Sequence, residues 1–126
     1  MPHVIIEATS NLESTHPIKP LLRRVNERLV QLDTLIPIGG LRTRGYVVTN
    51  YVVADGTEDD AFVHVTVKLG GGRTDEQFQQ IGDAIFQVVS DYYDTYFEQH
   101  SLALSLDLHQ FQRPTWKKNN IHERYR

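Results

Sequence analysis

The sequence predicts an α+β fold: two β-α-β units forming one four-stranded sheet, with two helices on one of its faces. Three observations predict it. Strand-like runs rich in β-branched residues alternate with amphipathic helical stripes in the order β-α-β, β-α-β. Residues 61–69 alternate apolar and polar side chains at period two. Thr74 and Gln77 form a capping box that opens the longer helix.

Each element follows from its residues. A first strand is expected over 2–8, where Val4, Ile5 and Ile6 favour extended backbone. The stretch 9–16 is polar and turn-like. Pro20 then suits the first turn of a helix, where a missing N–H costs nothing, and Leu21, Val25, Leu29 and Leu32 recur at helical spacing. Pro37, Gly39 and Gly40 end the pattern. A second strand is expected over 44–54, with Tyr46, Val47, Val48, Tyr51, Val52 and Val53, and Asp55-Gly56 closes it with a turn signal. The third strand is expected over 61–69. The glycine run Gly70-Gly71-Gly72 leads to Arg73 and to one long helix over 75–100, lined by Phe78, Ile81, Ile85, Val88 and Tyr92. A last strand over 102–108 places Leu at every second position, and a polar, basic tail follows from Arg113.

The halves are alike: His3-Val4-Ile5-Ile6-Glu7 lines up with His64-Val65-Thr66-Val67-Lys68. Residues 1–126 therefore read as a single domain containing a pseudo-repeat, 2–54 and 61–111. A helix joining two strands of one sheet leaves them parallel. Helices on one face leave the other open. That face is expected to be aliphatic and aromatic enough to need cover from sister chains, so a homo-oligomer is expected.

Composition removes several functions. A net charge of −3 disfavours a dedicated nucleic-acid binder, and the absence of cysteine removes thiolate chemistry and disulfides. No stretch has the length of a membrane span, and the opening Met1-Pro2-His3-Val4 lacks the features of a signal peptide, so a cytoplasmic protein is expected. The six histidines show no ligand spacing; His3, His64, His109 and His122 read as structural, and no metal is expected. The glycine run is not followed by Gly-Lys-Ser/Thr, so it is not a phosphate loop.

Three residues remain with chemistry to offer. Removal of Met1 leaves Pro2 as a secondary amine, which is a base when burial and a neighbouring guanidinium keep it neutral. Taken alone, Pro2 is a common second residue. Arg42 enters the second strand and Arg73 ends the glycine run, where a carboxylate can be held bidentately; taken singly, each reads as a solvated arginine. Together they suit a dicarboxylate or 2-oxo acid. The basic residues Arg113, Lys117, Lys118, Arg124 and Arg126 read as a solvated end.

Pro2-His3-Val4-Ile5-Ile6-Glu7, Gly39-Gly40-Leu41-Arg42-Thr43-Arg44, Ala54-Asp55-Gly56, residues 60–68, Gly70-Gly71-Gly72-Arg73, Leu102-Ala103-Leu104-Ser105 and Lys118-Asn119-Asn120-Ile121-His122 occur in order. Together they resemble the 5-carboxymethyl-2-hydroxymuconate isomerase family of the tautomerase superfamily. The resemblance implies a tautomerase-like homotrimer that works without a cofactor. It implies ketonisation of a dicarboxylate or tricarboxylate dienol to its 2-oxo isomer in bacterial homoprotocatechuate breakdown. By the same resemblance Pro2 is the base, Arg42 and Arg73 bind and polarise the substrate, and Arg44, two residues beyond Arg42, is a further substrate-binding candidate. Two other readings remain open on the residues: tautomerase or decarboxylase chemistry on another 2-oxo or enol acid, and a non-catalytic trimeric binding protein.

Overall fold

The computed structural model describes residues 1–126. Its strands are β1 (His3–Thr9), β2 (Arg42–Val48), β3 (Ala61–Leu69) and β4 (Leu102–Gln110). Its helices are α1 (Ile18–Val30), α2 (Asp75–Tyr92) and α3 (Asp94–Gln99). The strands form one sheet in the order β2-β1-β3-β4. β1 is parallel to β2 and β3 is parallel to β4, as β-α-β connections require. The two units are joined by antiparallel pairing of β1 with β3, in the register His3↔Lys68.

Alternation decides the faces. Val4, Ile6 and Ala8 of β1 and Ala61, Val63, Val65, Val67 and Leu69 of β3 are buried beneath the helices. They meet Leu21, Val25 and Leu29 of α1 and Ile81, Ile85 and Val89 of α2 in one core. Gly45 of β2 lets α1 approach closely, since a Cβ there would lie 2.7 Å from the Ile18 side chain. The open face is mixed rather than wholly aliphatic and aromatic. By register it carries His3, Glu7, Arg42, Arg44, His64, Thr66, Lys68, Ser105, Asp107 and His109, interleaved with Ile5, Tyr46, Val48, Phe62 and Ala103. Most valines and leucines of β1, β3 and β4 sit at the alternate positions, under the helices.

Element ends depart from expectation for local reasons. β2 begins at Arg42 and stops at Val48 because its partner β1 ends at Thr9, the residue opposite Val48. Tyr51, Val52 and Val53 have strand propensity but no strand to pair with, and Ala54 and Gly56 turn the chain with positive φ. α1 starts two residues before Pro20, which falls in the first turn; the Ile18 N–H is taken up by Glu13 at 2.8 Å. The capping box forms as expected, with Thr74 Oγ1 accepting from Gln77 N at 3.2 Å and Gln77 Oε1 accepting from Thr74 N at 2.8 Å. The long helix bends at Tyr93, which leaves helical geometry (φ −99°, ψ 9°) while the N–H of Phe97 still bonds its carbonyl at 2.9 Å. Tyr93 is fully enclosed, and its hydroxyl finds no hydrogen-bond partner.

Two substitutions separate a satisfied polar group from an unsatisfied one. Thr74→Ala is expected to lower unfolding free energy by about 1 kcal/mol through loss of the cap. Tyr93→Phe removes a hydroxyl that gains nothing, so denaturant unfolding is expected to show neutral or raised stability. A loss on Tyr93→Phe equal to that of the cap would contradict the packing described.

Candidate active site

The sheet topology gathers one end of the molecule. Parallel pairing sets the start of β2 beside the start of β1, and the Arg42 N–H donates to the Pro2 carbonyl at 2.9 Å. Antiparallel pairing sets the end of β3 beside the same point, which brings the glycine run after Leu69 next to Pro2. A cleft of about 210 Å³ results, lined by Met1, Pro2, Pro37, Gly40, Gly70, Gly71, Arg73, Lys117 and His122. Pro2 is buried.

Arg73 is anchored before any ligand arrives. Its Nε donates to Leu35 O at 2.8 Å and its Nη1 to Gly70 O at 2.9 Å. A guanidinium has five N–H donors, so the remainder stay available to an anion in the cleft. Burial lowers the pKa of this guanidinium, but it stays charged at any physiological pH. Arg42 Nη1 donates to Gly39 O at 3.1 Å and Leu41 O at 2.9 Å. Arg44 points along the open face to the His3 ring, Nη1 to Nδ1 3.0 Å. Burial first, then Arg44, the terminal amine, Arg42 and Lys68, holds His3 below its ordinary pKa, so the ring is a neutral acceptor for Arg44. The structure therefore brings Pro2 and Arg73 together in one cleft, with Arg42 at its margin and Arg44 paired elsewhere.

The Met1 amine, which stands at the mouth of this cleft, is driven toward neutrality. Burial contributes most, followed by the positive charges of Lys117, Arg73 and Arg42, and all four lower its pKa. The ammonium form is penalised because it loses part of its hydration and no carboxylate is among the groups acting on it.

Lys117, expected as part of a solvated end, is exposed but lines the cleft, and His122, expected to be structural, is half-buried beside it. The tail returns across the molecule, and a 3-10 turn, Ile121–Tyr125, packs on the 3-10 turn Ile38–Gly40. Asn119 fastens it: Nδ2 donates to Gly39 O at 2.9 Å, and Oδ1 accepts from Ile121 N at 2.7 Å. A Cβ on Gly39 would lie 2.6 Å from His122 Nδ1 and 2.8 Å from its Cα, so only glycine admits the contact. The sequence signal was this Gly39-Gly40 pair, which marks a close approach as well as a turn. The remaining histidines are structural here: His64 bonds Ser105 at 2.7 Å, His109 bonds Asp107 at 2.9 Å, and His16 sits among Tyr92, Tyr93 and Tyr96. No three His, Asp or Glu side chains converge as a metal-binding group. No helix is long and apolar enough to cross a membrane.

Comparison with known proteins gives this geometry a class. A fused 4-OT symmetric trimer shares the fold at 21% identity and a TM-score of 0.56, covering 81% of this chain and 82% of that one. The sheet of two β-α-β units opening on Pro2 is thus a tautomerase-superfamily architecture. Within it, the family model for 5-carboxymethyl-2-hydroxymuconate isomerase matches residues 2–125. A 5-carboxymethyl-2-hydroxymuconate Delta-isomerase of Escherichia coli is 35% identical over 124 residues, 97% of each chain. A crystal structure of a 5-carboxymethyl-2-hydroxymuconate isomerase from Deinococcus radiodurans R1 is 42% identical, with a TM-score of 0.92 over 99% of this chain and 94% of that one. The chain belongs to the 5-carboxymethyl-2-hydroxymuconate isomerase family, and it is a carbon–carbon double-bond isomerase.

The latch is testable without substrate. Gly39→Ala is expected to release the carboxy-terminal turn, so limited trypsin digestion should remove the segment after Lys117 or Lys118 several-fold faster than in wild type. Unchanged digestion would show that the tail is not held by this contact.

Proposed function

We propose that this enzyme ketonises 5-carboxymethyl-2-hydroxymuconate to its 2-oxo isomer during homoprotocatechuate breakdown, with the Pro2 amine as general base. The observation that carries this reading is the cleft itself: the buried Pro2 shares it with Arg73, and every charge acting on the Met1 amine beside it is positive. The base requires loss of Met1, since with Met1 in place the Pro2 nitrogen is an amide.

The chemistry is one proton moved and one conjugated system rearranged. Neutral Pro2 nitrogen takes the 2-hydroxyl proton, the C2–oxygen bond becomes a carbonyl, and the double bonds shift along the chain. The prolinium then returns the proton to a carbon of the former dienol. Atoms and electrons balance within substrate and amine, so the mechanism calls for no cofactor. Arg73, fixed by its two carbonyl acceptors, is placed to stabilise negative charge at the 2-oxygen or to hold a carboxylate without reorganising. Arg42 assists through its field on the amine and on an anionic substrate. Arg44 is engaged with His3, which favours Arg42 over Arg44 as the working arginine of β2.

The proposal includes a cytoplasmic homotrimer. The symmetric trimer formed by the 4-OT relative supports the assembly, as do the unpaired outer edges of β2 and β4 and exposed Tyr46 and Val47 beside one of them.

Ultraviolet absorbance of the dienol follows turnover directly. Pro2→Ala is expected to reduce kcat/KM by about a hundredfold or more; equal rates would remove Pro2 from the mechanism. The pH profile has a defined sign. The base must be unprotonated, so kcat/KM falls as pH drops through its pKa. The pKa of the Met1 amine is lowered here by burial and three cations. The Pro2 amine exposed in the same cleft on loss of Met1 is expected to titrate below the ordinary value of about 8 for the same reasons. A midpoint at or above that value would contradict the role assigned to the cleft.

A further inference from the structure

We infer that the carboxy-terminal tail is the wall that recognises a third carboxylate, with Lys117 as the residue that binds it. This inference rests on the proposed reaction at Pro2 and names the part of the same cleft that sets substrate class.

Three observations lead to it. The cleft has two cationic walls: Arg73, carried by the loop after β3, and Lys117, carried by the returning tail. Arg73 already spends donors on Leu35 and Gly70. Lys117 takes part in neither of the two ion pairs in the structure, which join His109 to Asp107 and Arg126 to Glu123. It lines the same cleft as Pro2 and Arg73, and of the three cations that act on the Met1 amine there it acts most strongly. A cation held close to two others is unfavourable unless an anion joins them. Lys117, Arg73 and Arg42 are three permanent positive charges around one small volume. A muconate carries two carboxylates, and a carboxymethyl arm adds the third.

The tail is built to hold this position. Lys117 lies two residues before Asn119, whose side chain bonds Gly39 O and Ile121 N, and five before His122, which is seated on Gly39. Fixing the backbone on both sides of Asn119 limits how far the Lys117 stem must be ordered on binding, which lowers the entropic cost of using a flexible side chain. Trp116, the chain's single tryptophan, stands beside Lys117 and is 96% exposed, so its emission reports on this wall.

The test compares two non-reacting ligands that differ by one carboxylate, adipate and butane-1,2,4-tricarboxylate, by isothermal titration calorimetry, with Trp116 emission as a second readout. Wild type is expected to bind the tricarboxylate about tenfold more tightly than adipate. Lys117→Gln is expected to bring the two affinities to within about twofold, and Lys117→Arg to keep the preference. Wild type that binds the two alike or binds neither, or a Lys117→Gln variant that keeps the preference, overturns the inference. The outcome separates from that of the base. Loss of turnover in Pro2→Ala with the binding preference intact supports both readings. Pro2-dependent turnover in an enzyme with no tricarboxylate preference removes only the role of Lys117.

Discussion

The antiparallel pairing of β1 with β3 is the constraint on which the site depends. Each β-α-β unit on its own is parallel, and by itself it sets only Arg42 beside Pro2. Joining the units with His3 opposite Lys68 turns the second unit end for end, so the exit of β3 meets the entrance of β1. The glycine run and Arg73 arrive next to Pro2 for that reason alone. A parallel junction would send that loop to the far end of the sheet, and the cleft would lose its guanidinium.

Electrostatics then follows from enclosure. The Met1 amine, Arg73, Lys117 and Arg42 have no carboxylate among them to offset their charge, burial removes part of the water that would, and loss of Met1 leaves the Pro2 amine among the same cations. The amine is the one member of the set that can discharge by losing a proton at moderate pH, so it carries the adjustment. In the proposed reaction, the same unbalanced positive field would attract a polyanionic substrate and stabilise charge on its oxygen during proton transfer. Base strength and substrate class are in this way two consequences of one arrangement. The tail latch through Gly39, Asn119 and His122 completes it from the far end of the chain.

How much of this could be read in the sequence depends on how local each signal is. The alternation of β3, the capping box at Thr74 and the apolar stripe of α1 are local, and they form where expected. The overrun of β2 past Val48 was not legible, because propensity at Tyr51 to Val53 says nothing about where β1 runs out. The bend at Tyr93 carries no glycine or proline to mark it. The mixed character of the open face was written in the odd positions of β1, the even positions of β2 and β3, and the odd positions of β4. It was obscured by counting apolar residues without assigning faces. Pro2 and Arg73 were legible as chemistry but not as neighbours. The place of Lys117 and His122 at the cleft was not legible, since the contact that brings the tail there spans 80 residues from Gly39 to Asn119 and depends on a missing Cβ.

The central claim is that the cleft keeps the Pro2 amine neutral near neutral pH, and nitrogen-15 NMR of protein labelled at proline tests it most directly. In protein from which Met1 has been removed, the Pro2 nitrogen is expected to titrate with a midpoint below the ordinary amine value of about 8. In Arg73→Ala the midpoint is expected to move upward. A Pro2 nitrogen that titrates at or above that value, or one unmoved by loss of Arg73, would contradict the account.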